Sequence, residues 1–162
     1  MENKEIKLDF KNLDRIKKLF KETNTKYIKV GILASTNARQ EGELNNAEIG
    51  FIQEFGRMEN PHIPARSFLR MPLRQHLKEK IEKSKTFSEE SINKAIESGK
   101  ADYLVKQLGL LAEQIILEAF ETSGDGKWAP NAPYTIAMKG SNKPLIDTGE
   151  LRKSITSKVV KK

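Results

Sequence analysis

One tripeptide in the sequence has a pattern that can support acid–base chemistry. Asp147-Thr148-Gly149 follows the apolar pair Leu145-Ile146. If two such loops faced each other, their carboxylates would share one proton, because like charges a few ångströms apart do not both ionise easily. The same residues also suit a structural role, since Asp and Thr are common caps at the start of a helix.

This tripeptide resembles the active-site loop of retroviral-type aspartic proteases. In those enzymes the motif lies near the start of the fold and several strands follow it. Here only 13 residues follow Gly149, too few to complete a β-barrel half-site. The sequence therefore favours a short helix that begins near Gly149, capped by Asp147 or Thr148, with Glu150 in its first turn near the positive end of the helix dipole.

The remaining polar residues predict no catalytic or metal site. The chain has no cysteine, which excludes thiolate chemistry and cysteine zinc sites. His62 and His76 lie fourteen residues apart and neither has an acidic residue four positions later. Gly124 and Gly126 form a weak G-x-G with no strand before it. We expect no catalytic residue, no metal and no cofactor, and hence a protein that is not an enzyme.

The net charge of +7 is distributed in blocks of alternating sign. Residues 1–30, 69–85 and 123–162 carry +4, +4 and +5, whereas residues 31–68 and 86–122 carry −2 and −4. Such blocks favour a protein whose surfaces meet other copies or other proteins, where complementary potentials set the register. Solubility alone explains the same charges equally well.

Length and hydropathy indicate one water-exposed domain. The chain has 162 residues, which is the usual size of a single domain. Its longest apolar runs are only a few residues, so we expect no membrane-spanning segment and no membrane partner. The N-terminus also lacks the apolar run of a signal peptide.

Apolar residues at helical spacing predict a mainly helical chain. The longest helix is expected to start at Asp102 as its cap and to run to about 122, with so wide an apolar stripe that it must be central. Asn46 is expected to cap another helix that Gly56 ends. The predicted helices are 12–22, 47–55, 71–83, 88–98, 102–122 and 134–139.

Two segments rich in β-branched residues, 26–33 and 154–160, predict strands. Residues 4–9 and part of 34–45 are candidates for further strands, because two strands alone form a marginal sheet. The order of helix, strand, helices and strand predicts an α+β fold, with a small, mainly antiparallel sheet packed against several helices. Residues 1–162 are expected to form a single domain.

Four strings in this order resemble the phage virion morphogenesis family, also called tail completion proteins, of tailed bacteriophages and prophages. They are AEIGFIQEFG at 47–56, IPARSFLR at 63–70, GKWAPNAPYT at 126–135 and KPLIDTGELRKSI at 143–155. The last string is also similar to head-tail joining proteins. The charged stretch 71–100 has no counterpart in the family pattern, and we interpret it as a helical insertion.

This resemblance implies a structural protein of the phage neck. Such a protein terminates or completes the tail and joins it to the head as a homo-oligomeric ring, for which we expect six copies. The implied partners are the tail tube protein and the head-tail connector proteins, with DNA only as the genome that passes through the lumen. The implied location is the virion neck, after assembly in the host cytoplasm.

The residues at family positions are the candidates for a subunit or partner interface. Arg66 has two interpretations, a cross-subunit donor to a carboxylate or a partner in an intramolecular salt bridge. Trp128 is either an interface anchor or the cover of its own core. The candidate interface residues are Glu54, Phe55, Arg66, Phe68, Trp128, Asp147, Leu151 and Arg152.

Two other functions remain open from sequence. The net charge of +7 also fits a basic nucleic-acid-binding protein. An aspartic protease is the third class, and it depends on Asp147 alone.

Overall fold

The computed structural model describes residues 10–39, 42–59, 62–98 and 101–162. Seven α-helices and a two-stranded antiparallel sheet form an α+β fold, as the sequence predicts. The candidate strand at 4–9 lies outside the described residues. The helices are α1 (Phe10–Asn24), α2 (Asn46–Phe55), α3 (Arg70–Lys83), α4 (Glu89–Ser98), α5 (Asp102–Thr122), α6 (Pro133–Lys139) and α7 (Glu150–Lys153), and the strands are β1 (Lys26–Ile32) and β2 (Ile155–Lys161).

The two strands pair along their whole length, from Lys26 opposite Lys161 to Ile32 opposite Ile155. The predicted central helix, α5, packs on one face of this ribbon and contacts α3 on another side. Gly109 permits the close approach, because a Cβ there would lie 2.7 Å from Ser157 Oγ and 3.4 Å from Ile28 Cγ2. Ile28 and Ser157 therefore face α5.

The core lies where α5 meets the ribbon and the segment before α3. Phe68, Ile116 and Phe120 are fully buried, and Leu151 and Ile155 complete the cluster. Burial of side chains of this size stabilises the fold by about 1.5–3 kcal/mol each. The core therefore joins residues from both halves of the chain.

The expected insertion at 71–100 is packed against the rest of the fold. It forms α3 and α4, which contact α5 and α1 respectively. Pro72 lies in the first turn of α3, where its missing N–H leaves no bond unmade, and it is buried. Ala95 of α4 is buried as well.

The predicted caps of α2 and α5 are each wrong by one residue. Asn45, and not Asn46, caps α2: its side chain accepts the N–H of Glu48, whose carboxylate accepts the N–H of Asn45 in return. Asn46 is buried and donates its side-chain amide to the carbonyls of residues 36 and 38. Ala101, and not Asp102, occupies the cap position of α5, and the Asp102 carboxylate is bound to Lys26 of the ribbon.

The described residues of the segment at 34–45 (34–39 and 42–45) do not add a strand. Residues 34–36 form a single 3₁₀ turn, and Thr36 donates its hydroxyl to the carbonyl of Ser154 at 2.7 Å. Asn46 donates its N–H to the carbonyl of Asn37, which ties the described part of this loop to α2. These hydrogen bonds, and not pairing with β1 or β2 as a third strand, hold the described part of the loop in place.

Two lysine pairs stand directly opposite each other on the ribbon, Lys26 with Lys161 and Lys29 with Lys158. Lys26 is ion-paired with Glu22 and Asp102, whereas the ion pairs among the described residues include none at Lys29 or Lys158. Like charges at this position repel, so Lys29→Glu should stabilise the fold by about 0.2–1 kcal/mol through a cross-strand ion pair. Thermal unfolding at low salt measures this gain, which high salt should reduce by screening. Lys29→Gln is the control and should give a smaller gain; a lower melting temperature for Lys29→Glu contradicts the prediction.

Candidate functional site

A buried carboxylate connects α2 to the start of α3. The Glu54 side chain is 3% exposed. Its oxygens accept the hydroxyl of Ser67 at 2.6 Å and the N–H groups of Phe68 and Leu69 at 2.8 and 2.9 Å. They also accept the N–H and the Nε of Arg70 at 3.2 and 3.0 Å. An anion at the N-terminus of α3 satisfies amides that have no partner within the helix, and the helix dipole favours its charge.

These contacts keep Glu54 ionised. Burial works to raise the pKa of Glu54, but the hydrogen bonds from Ser67, Leu69 and Arg70 together outweigh burial and lower it. The charged form of Glu54 is therefore part of the folded structure.

The buried guanidinium of Arg66 connects the same segment to the loop after α5. Arg66 donates Nε to the carbonyl of Ala129 at 2.8 Å and Nη2 to the carbonyl of Pro130 at 2.9 Å. Its Nη1 reaches Oε1 of Gln53 on α2 at 3.4 Å. Burial lowers the pKa of Arg66. Among the described residues, Arg66 thus donates to carbonyls of its own chain in place of the intramolecular salt bridge. The cross-subunit interpretation of Arg66 stays a prediction.

Trp128 covers the core of its own chain from that loop. Its indole Nε1 donates to the carbonyl of Ser67 at 3.3 Å. Its ring meets Phe120 edge-on at a centroid distance of 5.9 Å, and Phe120 in turn packs on Phe68 at 5.2 Å. The indole also lies directly over Gly124, where a Cβ would come within 2.2 Å of Nε1.

The predicted C-terminal helix is present as α7. The predicted cap is wrong, because Gly149 occupies the cap position of α7 and no side chain caps the helix. The hydroxyl of Thr148 accepts the N–H of Glu150 at 3.4 Å. Asp147 is exposed. Arg152 forms an ion pair with Glu121 of α5.

The eight candidate interface residues separate into two groups. Glu54, Arg66, Phe68 and Leu151 are buried and Trp128 is half-buried, and these five hold four distant segments together. Phe55 and Asp147 are exposed. The side chains of Phe55 and Asp147, and to a smaller extent those of the half-buried Trp128 and Arg152, are accessible to another molecule.

An open cleft of about 730 Å³ lies beside this cluster. Arg66, Pro130 and Asp147 line it, together with Lys139 and Glu150. Burial lowers the pKa of Lys139, while the charge of Asp147 acts in the opposite direction. Glu150 is paired with Arg39 at 3.1 Å. The two carboxylates of the cleft thus face cations, an arrangement that differs from a proton-sharing pair.

An apolar patch lies on the surface of α2 next to the buried cluster. Phe51 and Phe55 are in contact at a centroid distance of 4.9 Å, although they are 65% and 51% exposed. The guanidinium of Arg70 covers one face of the Phe55 ring at 4.4 Å. Met58, just beyond the helix, is 87% exposed. We call Phe51, Phe55 and Met58 the α2 patch.

Three residues of the cluster, Gln53, Ser67 and Arg70, are not among the residues that the sequence predicts for the site. Ser67 had a weak signal, since serines are common near the start of a helix; its Oγ accepts the N–H of Met71 at 3.1 Å, although Leu69 occupies the cap position of α3. Gln53 and Arg70 had none, because their partners come from other segments.

Comparisons with models of known protein families, with curated proteins and with solved structures find no match. Among the described residues, no group of three or more His, Cys, Asp or Glu is placed to hold a metal ion. No helix in the described ranges is long and apolar enough to cross a membrane.

Glu54→Gln should destabilise the protein by about 2–3 kcal/mol, because an amide offers fewer acceptors to the donors around it and removes the charge. Urea unfolding at pH 7 measures this loss. Glu82→Gln, on the exposed side of α3, is the matched control and should change the stability little.

The stability difference between the parent and Glu54→Gln should depend on pH. Because the folded pKa of Glu54 is lowered, its contribution is fully present above its ordinary pKa of 4.5 and is lost as the pH falls through the folded pKa. The difference in unfolding free energy between the parent and Glu54→Gln should therefore narrow below about pH 4.5. A constant difference from pH 7 to pH 3 would contradict this role.

Gly124→Ala should cost more stability than Gly126→Ala. Both glycines have positive φ, +64° and +73°, so alanine is strained at either position by about 1–2 kcal/mol. Only at Gly124 would the new Cβ also strike the Trp128 ring, which adds about 1–3 kcal/mol. Urea unfolding, followed by the fluorescence of the single tryptophan, measures the stability of both variants. Equal losses of stability would contradict the packing of Trp128 against Gly124.

Proposed function

We propose that this chain is a structural, non-enzymatic neck protein of a tailed phage or prophage, which completes the tail and joins it to the head as a homo-oligomeric ring. The observation that carries the proposal is the convergence of the four strings that resemble the tail completion family. Glu54 of the first string binds the backbone of the second, and Arg66 of the second binds the carbonyls of the third. Leu151 of the fourth joins Phe68 in the core.

This convergence supports the resemblance because the four strings contact one another in the fold. They are separated by up to about a hundred residues, yet their residues form a single set of hydrogen bonds and packing contacts. A chance similarity of four short strings would not require that they meet. The four strings thus belong to one folding unit, as expected if the whole domain is of the tail completion type.

The α2 patch is the best-placed surface for contact between subunits. Aromatic and methionine side chains are enriched in interfaces, and Arg70 adds a cation that lies flat on Phe55. If each copy contacts the next through two different surfaces, the copies form a closed ring when the rotation between neighbours allows it. The buried hydrogen bonds of Glu54 hold this surface rigidly in place.

Negative-stain imaging tests the proposal. The purified protein is imaged alone and after mixing with tail tubes assembled from the tube protein of the same genome. We expect rings in solution or a cap at one end of the tubes. Monomers that leave the tubes uncapped would contradict the tail-completion role.

A matched pair of variants tests the contact surface. Phe51→Ser with Phe55→Ser should abolish ring or cap formation while the melting temperature stays close to that of the parent, since both rings are exposed. Tyr134→Ser with Met138→Ser removes similar exposed side chains, 76% and 72% exposed on α6, and should assemble normally. If the first pair still assembles, the α2 patch is not the contact, although the proposed function stands.

A further inference from the structure

The positive charge of the chain is concentrated at its two ends, and the fold brings these ends together. Residues 10–32 contain seven basic and two acidic residues, and residues 153–162 contain four basic and none acidic. These two segments carry +9, more than the +7 of the whole chain, so the remainder is slightly acidic. Pairing of β1 with β2 places the two basic segments side by side.

One face of the ribbon points away from α5. Because Ile28 and Ser157 face that helix, the alternate residues of both strands lie on the opposite face. There Tyr27 stands opposite Val160, and Lys29 stands opposite Lys158. Tyr27 is 39% exposed, and both lysines are exposed.

The lysines of this face are not neutralised by the described residues. Lys26, on the α5 side, is paired with Glu22 and Asp102. In contrast, the ion pairs within the described ranges include none at Lys29, Lys158 or Lys162. The Lys29 ammonium instead lies 5.7 Å from the centroid of the Tyr27 ring.

The fold itself does not need this arrangement. Lysines on exposed strands discourage pairing with other sheets, but this protection does not require two of them to stand directly opposite each other. Direct opposition costs stability. An anionic partner would remove the repulsion between Lys29 and Lys158, which would explain why the two lysines stand opposite each other.

We propose that this face, with Lys29, Lys158 and Lys162, binds the phosphate backbone of double-stranded DNA. A two-stranded ribbon has the width that the major groove of B-form DNA admits, about 12 Å. Lysines on a ribbon face reach phosphates and release their counterions, which gives affinity without base recognition. The exposed lysines of α1, Lys17, Lys18 and Lys21, extend the positive field beside β1. The inference does not rest on the neck function.

Salt-dependent binding of the full chain to a duplex of about 30 base pairs, followed by fluorescence anisotropy, tests the proposal. The parent should bind at about 50 mM salt, with affinity that falls steeply as salt rises. Lys29→Gln with Lys158→Gln should reduce the slope of log affinity against log salt by about 1.8, or about 0.9 for each lost phosphate contact. Removing the cross-strand repulsion should leave these proteins folded, and circular dichroism checks this.

Lys78→Gln with Lys83→Gln is the matched control, because it removes the same charge from exposed positions on α3. Its slope should equal that of the parent. An equal reduction in both double variants would mean that net charge alone causes binding, and would overturn the proposal. So would a parent that ignores the duplex at low salt, or one that binds phosphatidylserine vesicles through Lys29 and Lys158 but not DNA. Ring formation is read separately, by imaging, so failure here leaves the neck function untouched.

Discussion

The buried carboxylate of Glu54 holds the end of α2 against the start of α3. Removing a charged group from water costs several kcal/mol unless good hydrogen bonds compensate. Glu54 gains them only when the segment before α3 lies against the end of α2, so that three backbone N–H groups and two side chains converge on it. That requirement fixes the course of residues 64–70, and with it places Phe68 at the centre of the core.

A second layer of contacts follows from this placement. Once the segment is fixed, Arg66 points to the carbonyls of Ala129 and Pro130, and Trp128 closes over Phe120. Polar contacts are strong here because burial excludes competing water. The result is a rigid body that joins α2, the start of α3 and the loop after α5. Rigid scaffolds of this kind can present a contact surface with little loss of entropy on binding.

The two exposed surfaces differ in chemistry as well as in position. The α2 patch is aromatic and apolar, whereas the free face of the ribbon is basic. The first suits contact with protein and the second suits contact with a polyanion. A protein at the junction of a head and a tail meets both kinds of partner, so the two proposals are compatible, although each stands on its own residues.

Periodicity and local chemistry in the sequence were sufficient to predict the helices, the two strands and the α+β class, because these depend on residues within a few positions of each other. The end of α2 at Gly56 and the short helix after Gly149 are of this kind. The interactions that local patterns did not predict join residues far apart in the chain. The Asp102 carboxylate binds Lys26 and does not cap α5. Glu54 and Arg66 are buried and bind partners that their spacing in the sequence does not indicate. The two basic segments near the chain ends pair as one ribbon. Each of these pairings is selected by packing and by the cost of burying a charge, and both act only once the distant segments have come together.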